Sequence, residues 1–360
     1  MTGHSINQIL IIKPSSLGDI IHTLPALERL GVLFPDAKID WLVNTPYVSL
    51  LEGHPGIRKI IPFDRKSFGQ FKGLDRLWQL AKELRKQKYD LVLDYQGLLR
   101  SGLLTGVTGA PYRIGFSHSR EGSPMFYTHK VTLPSDCTHV LSQYIYLADQ
   151  AWAQCHDHKN PDTPWSFSPI SLEITPAQQN HIRSLLEQSG WTKQPIAVIH
   201  TGARWSSKRW FPVRIAETIK YLQDRHGFFV VFIGTEADIP TNLETQKYLE
   251  QPIADLSGKL NLSETAGLLK QAALVFGHDT GPLHLAWILG RPTLILFGPT
   301  SPDYLKPLGP QSTHLHLNVD CAPCRNTSCP KKDQICMTGI SSSIVQEHLE
   351  QLIANTKHLY

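Results

Sequence analysis

Ile9-Leu10-Ile11-Ile12-Lys13-Pro14-Ser15-Ser16-Leu17-Gly18-Asp19 is the stretch on which the fold turns. Four consecutive apolar residues are too few for a helix and show no alternation, so both faces of this strand are expected to be buried. That is the pattern of a parallel strand covered by helices on either side. A polar loop with serine, glycine and aspartate follows, and then an amphipathic stretch from about Ile20 to Leu33. Moving outward, Ile39 to Val43 reads as a second strand, Leu74 to Lys88 as a helix, and Asp90 to Asp94 as another buried strand. Short apolar runs separated by helical segments are βαβ units.

Between Asp149 and Pro176 this rhythm lapses. Cys155-His156-Asp157-His158-Lys159-Asn160-Pro161-Asp162-Thr163-Pro164-Trp165 is rich in proline, aspartate and histidine and reads as a linker. A second series follows. Thr175 and Pro176 open a helix to Ser189 as N-cap and first-turn proline. Strands are expected at Ile196–Ile199, Phe228–Ile233, Leu274–Phe276 and Thr293–Phe297. Helices are expected at Val213–Arg225, Ser263–Ala272, Pro282–Leu289 and Ser341–Ile353. The expected class is therefore α/β, with two Rossmann-like doubly wound domains facing each other across a cleft. Their bounds are 1–160 and 161–340, with a closing helix in 341–360.

Composition narrows the function classes. The chain has 360 residues, 41% apolar and 18% charged, with 35 basic and 31 acidic residues and a net charge of +4. Two domains of about 150 residues fit that length, and each can bury a core. The small basic excess suits an anionic small substrate and is too weak for a nucleic-acid binder. No run of about 18 apolar residues would span a bilayer. The first residues lack the basic and long apolar regions of a secretory signal, so the cytoplasm is the expected compartment.

In doubly wound sheets ligands sit beyond the carboxyl ends of the strands, and four polar loops lie there. Ser16, Gly18 and Asp19 follow the first strand. Asp19 is either a helix N-cap or a general base, the latter contributing roughly 10²–10⁴-fold to rate. This loop has neither the Walker pattern nor GxGxxG. Thr201, Gly202, Arg204 and Lys208 lie in His200-Thr201-Gly202-Ala203-Arg204-Trp205-Ser206-Ser207-Lys208-Arg209-Trp210. Its three cations suit a phosphate, although a solvated basic loop has the same composition. Glu236 follows the strand at Phe228–Ile233 and suits ribose hydroxyls or a plain turn. Asp279, Thr280, Gly281, Pro282 and His284 form a tight entry into a helix, whose free N–H groups suit a pyrophosphate, with His284 facing the ligand. Asp-Thr-Gly is also the aspartic-protease triplet, but a single copy opening a helix in an α/β chain argues against that chemistry.

Together, Ile9–Leu27, His200–Trp210 and His278–Pro302 resemble glycosyltransferase family nine, the lipopolysaccharide heptosyltransferases. The cysteine segment Cys321–Met337 also resembles one found in part of that family. The resemblance implies a GT-B fold, with the N-terminal domain taking the acceptor and the C-terminal domain the nucleotide-sugar donor. It implies inverting transfer of heptose from ADP-heptose without a divalent metal or other cofactor. Residue by residue, it makes Asp19 the base that deprotonates the acceptor hydroxyl and Lys208 a holder of donor phosphate. It makes Asp279, Thr280 and Gly281 the phosphate and sugar loop, places Glu236 near the ribose, and sets Leu260 beside the adenine. It also implies a lipid-linked oligosaccharide acceptor, reached by peripheral contact with the inner membrane. For that contact the interleaved aromatic and basic residues of Phe63-Asp64-Arg65-Lys66-Ser67-Phe68-Gly69-Gln70-Phe71-Lys72 are candidates. A non-catalytic nucleotide-sugar-binding protein is the rival of another class. A nicotinamide-dependent oxidoreductase is disfavoured by the missing GxGxxG.

Cys321, Cys324, Cys329 and Cys336 crowd into one short segment. Structural zinc is one reading of them, though the paired CxxC of zinc ribbons is missing. Buried thiols, or disulfides formed on oxidation, are the other. In either case their expected role is remote from the chemistry.

Overall fold

The computed structural model describes residues 5–64, 73–156, 161 and 163–359. The chain divides into two units, Met1–Phe167 and Ser168–Tyr360.

In the first unit the strands are β1 (Gln8–Ile12), β2 (Lys38–Asn44), β3 (Lys59–Phe63), β4 (Leu91–Asp94), β5 (Tyr112–Phe116) and β6 (His129–Val131). The helices are α1 (Leu17–Leu33), α2 (Val48–Leu51), α3 (Gly73–Lys86), α4 (Leu99–Thr108) and α5 (Val140–His156). The sheet runs β3-β2-β1-β4-β5-β6, with every pairing parallel. Ile9, Leu10, Ile11 and Ile12 are fully buried. The central strand lies between helix layers, as its unbroken apolar run requires. Helix α1 packs on α5, and α3 on α4.

The second unit repeats the plan with strands β7 (Ile196–His200), β8 (Phe229–Phe232), β9 (Ala254–Asp255), β10 (Leu274–His278), β11 (Thr293–Phe297) and β12 (Ser312–His316). Its helices are α6 (Pro176–Gln188), α7 (Pro212–His226), α8 (Ile239–Gln246), α9 (Leu262–Gln271), α10 (Gly281–Ile288), α11 (Pro302–Leu305), α12 (Ile335–Thr338) and α13 (Ser342–Thr356). The order is β12-β11-β10-β7-β8-β9, again all parallel. Helix α13 packs on α7 and against β11, within this unit.

In each sheet the strand order reverses once, between β1 and β4 and between β7 and β10. Loops leaving the two strands at such a point diverge to opposite sides and open a binding crevice. The fold thus selects two loops in each unit. After β1 and β4 these are the segments starting at Lys13 and Tyr95. After β7 and β10 they start at Thr201 and Asp279.

Two local expectations change, and a third is not reached. Helix α1 begins at Leu17, a turn before Ile20, because Ser16 caps it. Helix α5 continues to His156, well past Asp149, since Ala151, Ala153 and Cys155 keep its inner face apolar and buried. The candidate membrane stretch Phe63–Lys72 lies, from residue 65 onward, outside the described residues. Among the described residues no helix is long and apolar enough to cross a membrane.

Candidate functional site

In the first unit, Asp19 occupies the third position of α1 and is not the N-cap. Its Oδ2 accepts hydrogen bonds from the Ser16 backbone N–H at 3.0 Å and the Ser16 hydroxyl at 2.8 Å. Nothing among the described residues donates to Oδ1. One oxygen is therefore committed to the cap, and the other is free of protein donors among the described residues. Gly18, one residue earlier, has open space where a Cβ would stand.

The loop after β4 stands beside the loop of Asp19. The Ser15 N–H donates to Gln96 Oε1 at 3.2 Å, and Lys13 Nζ donates to the Tyr95 carbonyl at 2.9 Å. Lys13 is buried at the end of β1. Burial pushes its pKa down, while Asp19 and Asp94 work in the opposite direction. Asp94 anchors the β4 loop by accepting from the Gln96 and Gly97 N–H groups and from the Tyr127 hydroxyl at 2.7 Å. Tyr127 reaches it over Gly115, where a Cβ would meet the ring at 2.5 Å. Ser15, Asn44, Gln96, Arg100 and Glu121 line a cavity of about 180 Å³ next to this loop. Asp94, Gln96 and Arg100 carried no motif signal. Only the strand order makes them neighbours of the Asp19 loop.

In the second unit, the reversal point brings Lys208 and Asp279 together. Lys208 Nζ donates to Asp279 Oδ2 at 2.6 Å and to the Asp279 carbonyl at 3.1 Å. Thr300 donates to the same Oδ2 at 2.6 Å, and His284 Nε2 lies 2.7 Å from Oδ1. The Trp287 indole N–H donates to His284 Nδ1 at 3.2 Å. An indole nitrogen only donates, so Nδ1 is the acceptor and Nε2 carries the proton given to Asp279. Burial pushes the Asp279 carboxyl up, but the hydrogen bond from His284 and the charge of Lys208 outweigh it. They hold Asp279 well below the usual carboxylate range. The carboxylate is fully bonded, so it sets the position of Lys208 and is not itself a free base. Lys208 lies 4.9 Å from the centre of the Trp205 ring, and its side chain is 16% exposed.

The expectation that His284 faces a ligand is corrected. His284 is buried behind Asp279, because α10 is apolar on all sides and packs into the core. The helix entrance itself is free. Thr280 is the N-cap and Pro282 has no N–H, while Leu283 and His284 turn theirs to the Thr280 carbonyl. The N–H groups of Thr280 and Gly281 are left without a backbone partner among the described residues. The Thr280 hydroxyl lies 3.2 Å from His200 Nδ1.

Thr201 is also corrected as a direct donor contact. It is fully buried and its hydroxyl donates to Asn242, whose amide binds Asp255 and Ser257. Gly202 is indispensable for close approach, since a Cβ there would fall 1.9 Å from Asp238 Oδ1. Arg204 is exposed. Glu236 lies over Gly258, where a Cβ would meet its side chain at 2.6 Å, and Leu260 is half-buried in the turn beyond β9. These two stand at the β8 side of the sheet.

The four clustered cysteines are free thiols lining one small cavity together with Ser207 and Gln334. Four thiols are a suitable donor set for a soft metal. Yet among the described residues no three His, Cys, Asp or Glu side chains stand together as a ligand group. Structural zinc, one of the two readings of this cluster, has no formed ligand set among the described residues. Burial, followed by the neighbouring thiols, pushes the Cys336 thiol up. The cysteine segment is not remote from the site either, because it is bonded to the turn that carries Lys208.

The sequence profile of glycosyltransferase family 9 (heptosyltransferase) matches residues 77–335. The chain belongs to glycosyltransferase family 9. It is 27% identical to lipopolysaccharide heptosyltransferase 1 of Pseudomonas aeruginosa, over 96% of this chain and 98% of that protein. The solved ADP-heptose lipopolysaccharide heptosyltransferase II of Escherichia coli superposes with a TM-score of 0.77 at 23% identity, covering 97% of this chain and 99% of the other. An Escherichia coli heptosyltransferase solved with ADP superposes at 0.72 and 22% identity, covering 96% and 99%. This family member therefore has the GT-B fold, two Rossmann-like α/β units in one chain.

Proposed function

We propose that the protein transfers heptose from ADP-heptose to a lipopolysaccharide core acceptor, with inversion at the anomeric carbon. The observation that carries the reading is the pairing of Lys208 with Asp279 at the reversal point of the second sheet, beside the free N–H groups of Thr280 and Gly281. A fixed cation and two backbone donors are what a diphosphate leaving group needs.

The second unit takes the donor and the first the acceptor. Asp19 Oδ1 removes the proton of the acceptor hydroxyl while that oxygen attacks the anomeric carbon. The bond from that carbon to the ADP oxygen breaks on the opposite face, and the electron pair leaves with ADP. Lys208 and the α10 entrance stabilise the charge that develops there. A diphosphate needs no proton to depart, so one carboxylate suffices, unlike the two required for glycoside hydrolysis. Glu236 and Leu260 serve the ribose and adenine ends, and Arg204 adds positive charge near the phosphates. The cavity lined by Gln96 and Arg100 belongs to the acceptor side.

The reaction uses no metal or other cofactor. The protein works at the cytoplasmic face of the inner membrane by peripheral contact with its lipid-linked acceptor. The test is a donor screen with ADP-, GDP- and UDP-sugars and an extracted lipid acceptor, read by nucleoside diphosphate release. ADP-heptose as the preferred donor is the expected result. A preference for a uridine or guanosine donor would overturn the assignment.

A further inference from the structure

Lys208 stands on a single turn of 3₁₀ helix, Ser206–Lys208, between two extended residues, Trp205 and Arg209. Such a turn has little to hold it. Its own backbone bonds are Lys208 N–H to the Trp205 carbonyl and Arg209 N–H to the Ser206 carbonyl, both at 3.1 Å. Beyond the Lys208–Asp279 contact, much of its support comes from the cysteine-bearing segment. Gln334 Nε2 lies 3.3 Å from the Ser206 carbonyl, 2.9 Å from that of Ser207 and 3.0 Å from that of Arg209. One side-chain amide thus gathers three carbonyls that surround Lys208. The Ser207 hydroxyl donates to the Asn326 carbonyl at 2.6 Å, and its N–H to the Thr327 carbonyl at 3.3 Å.

The same segment reaches the other half of the pair. The Arg325 N–H donates to the Pro299 carbonyl at 2.8 Å, next to Thr300, which holds Asp279. Gln334 is firmly based. Its φ is +49°, and as N-cap of α12 its carbonyl accepts the N–H groups of Met337 and Thr338 at the end of that helix. Cys336 and Met337 there are part of the buried core of the second unit.

We propose that Gln334 is a positioning residue for Lys208, and that the segment 321–340 is thereby part of the donor-phosphate machinery. The amide turns the carbonyls of residues 206, 207 and 209 toward itself and fixes the direction in which the turn presents its lysine. Without a donor at this point the Ser207 and Arg209 carbonyls are free to rotate toward water, and the Ser206 carbonyl keeps only the Arg209 N–H. Lys208 then spends only part of its time against Asp279 and the diphosphate. This inference rests on the donor reading above.

The test is Gln334→Met, which keeps the length of the side chain and removes the donor, with Gln334→Lys to restore one. For Gln334→Met, ADP affinity by calorimetry is expected to fall roughly tenfold, the scale of losing about one net hydrogen bond. The donor KM should rise with it, and kcat should change less. Amide exchange in residues 205–210 should accelerate, and Gln334→Lys should recover most of both effects. In the Lys208→Ala background Gln334→Met should add little, because its effect passes through that lysine. Unchanged ADP affinity in Gln334→Met, or full additivity with Lys208→Ala, would overturn the proposal. Wild-type ADP binding is measured first. If there is none, the donor reading fails, and exchange in residues 205–210 alone decides: acceleration supports the positioning role, and no change overturns it.

Discussion

Lys208 and Asp279 are 71 positions apart in the chain, yet the ammonium touches both the carboxylate and the backbone carbonyl of that one residue. The aspartate side chain is nearly sealed from solvent, at 2% exposure, while the lysine retains 16%. The acid is buried machinery, and the base is the part that faces outward. In the proposed reaction, a cation held this way meets the departing diphosphate without reorganising when the charge develops.

Removing the lysine therefore has two separable effects. Lys208→Ala leaves a buried carboxylate without its cation, which costs about 3–5 kcal/mol of stability for a pair of this kind. Adding Asp279→Asn should restore part of the thermal midpoint but none of the activity or ADP affinity. Calorimetric melting and ADP titration of the single and double variants check this. Unchanged ADP affinity in Lys208→Ala would leave the lysine a structural role only.

Asp19→Asn keeps an acceptor for the Ser16 cap and takes away the base. Turnover should fall by ~10² or more, with the thermal midpoint and ADP affinity close to wild type. Steady-state kinetics with saturating donor decide it. Near-normal turnover would remove Asp19 from the reaction.

Activity should survive EDTA. In the proposed reaction the charge on the leaving group is met by Lys208 and the N–H groups of Thr280 and Gly281. Initial rates with and without chelator, followed by magnesium addition, test this, and a loss that magnesium reverses would contradict it.

Acid should destabilise the protein through two buried histidines. His278 is buried at the end of β10, and its Nε2 accepts the Trp210 N–H at 2.8 Å. Burial, aided by His200 and nearby cations, pushes its pKa down to about 3. Burial takes His54 to about 4. The unfolded chain binds these protons near the ordinary histidine value of about 6.5, and the folded chain refuses them. Their contribution is complete above that value and declines as pH falls from it toward 3 to 4, by up to ~1.4 kcal/mol per pH unit for each histidine. His278→Gln keeps an acceptor for Trp210 and should flatten that decline. Urea unfolding midpoints between pH 7 and pH 4 measure it, and an unchanged slope in the variant would refute the assignment to His278.

The sequence by itself determined the layers and the polar loops. Ile9–Ile12 reads as a strand buried on both faces, the pattern of a parallel sheet covered by helices. The Gly-Pro entry to α10 was legible from backbone chemistry alone, and so were the Asp19 and Lys208 loops as strand-to-helix turns. These signals are local. They reside in side-chain volume, periodicity and the special conformations of glycine and proline.

Tertiary structure decided which loops meet and which side of each residue is used. The two strand orders reverse between β1 and β4 and between β7 and β10, and no local pattern records that reversal. It brings Gln96 to the Asp19 loop and Asp279 to Lys208. Packing of the helices α10 and α8 turns His284 inward to the Asp279 carboxylate and buries the Thr201 hydroxyl against Asn242. The fold also carries Gln334, more than a hundred residues downstream, onto the turn of Lys208. A buried polar group must find its partner wherever the packing brings one. The identity of that partner is therefore a property of the folded chain and not of its neighbours in sequence.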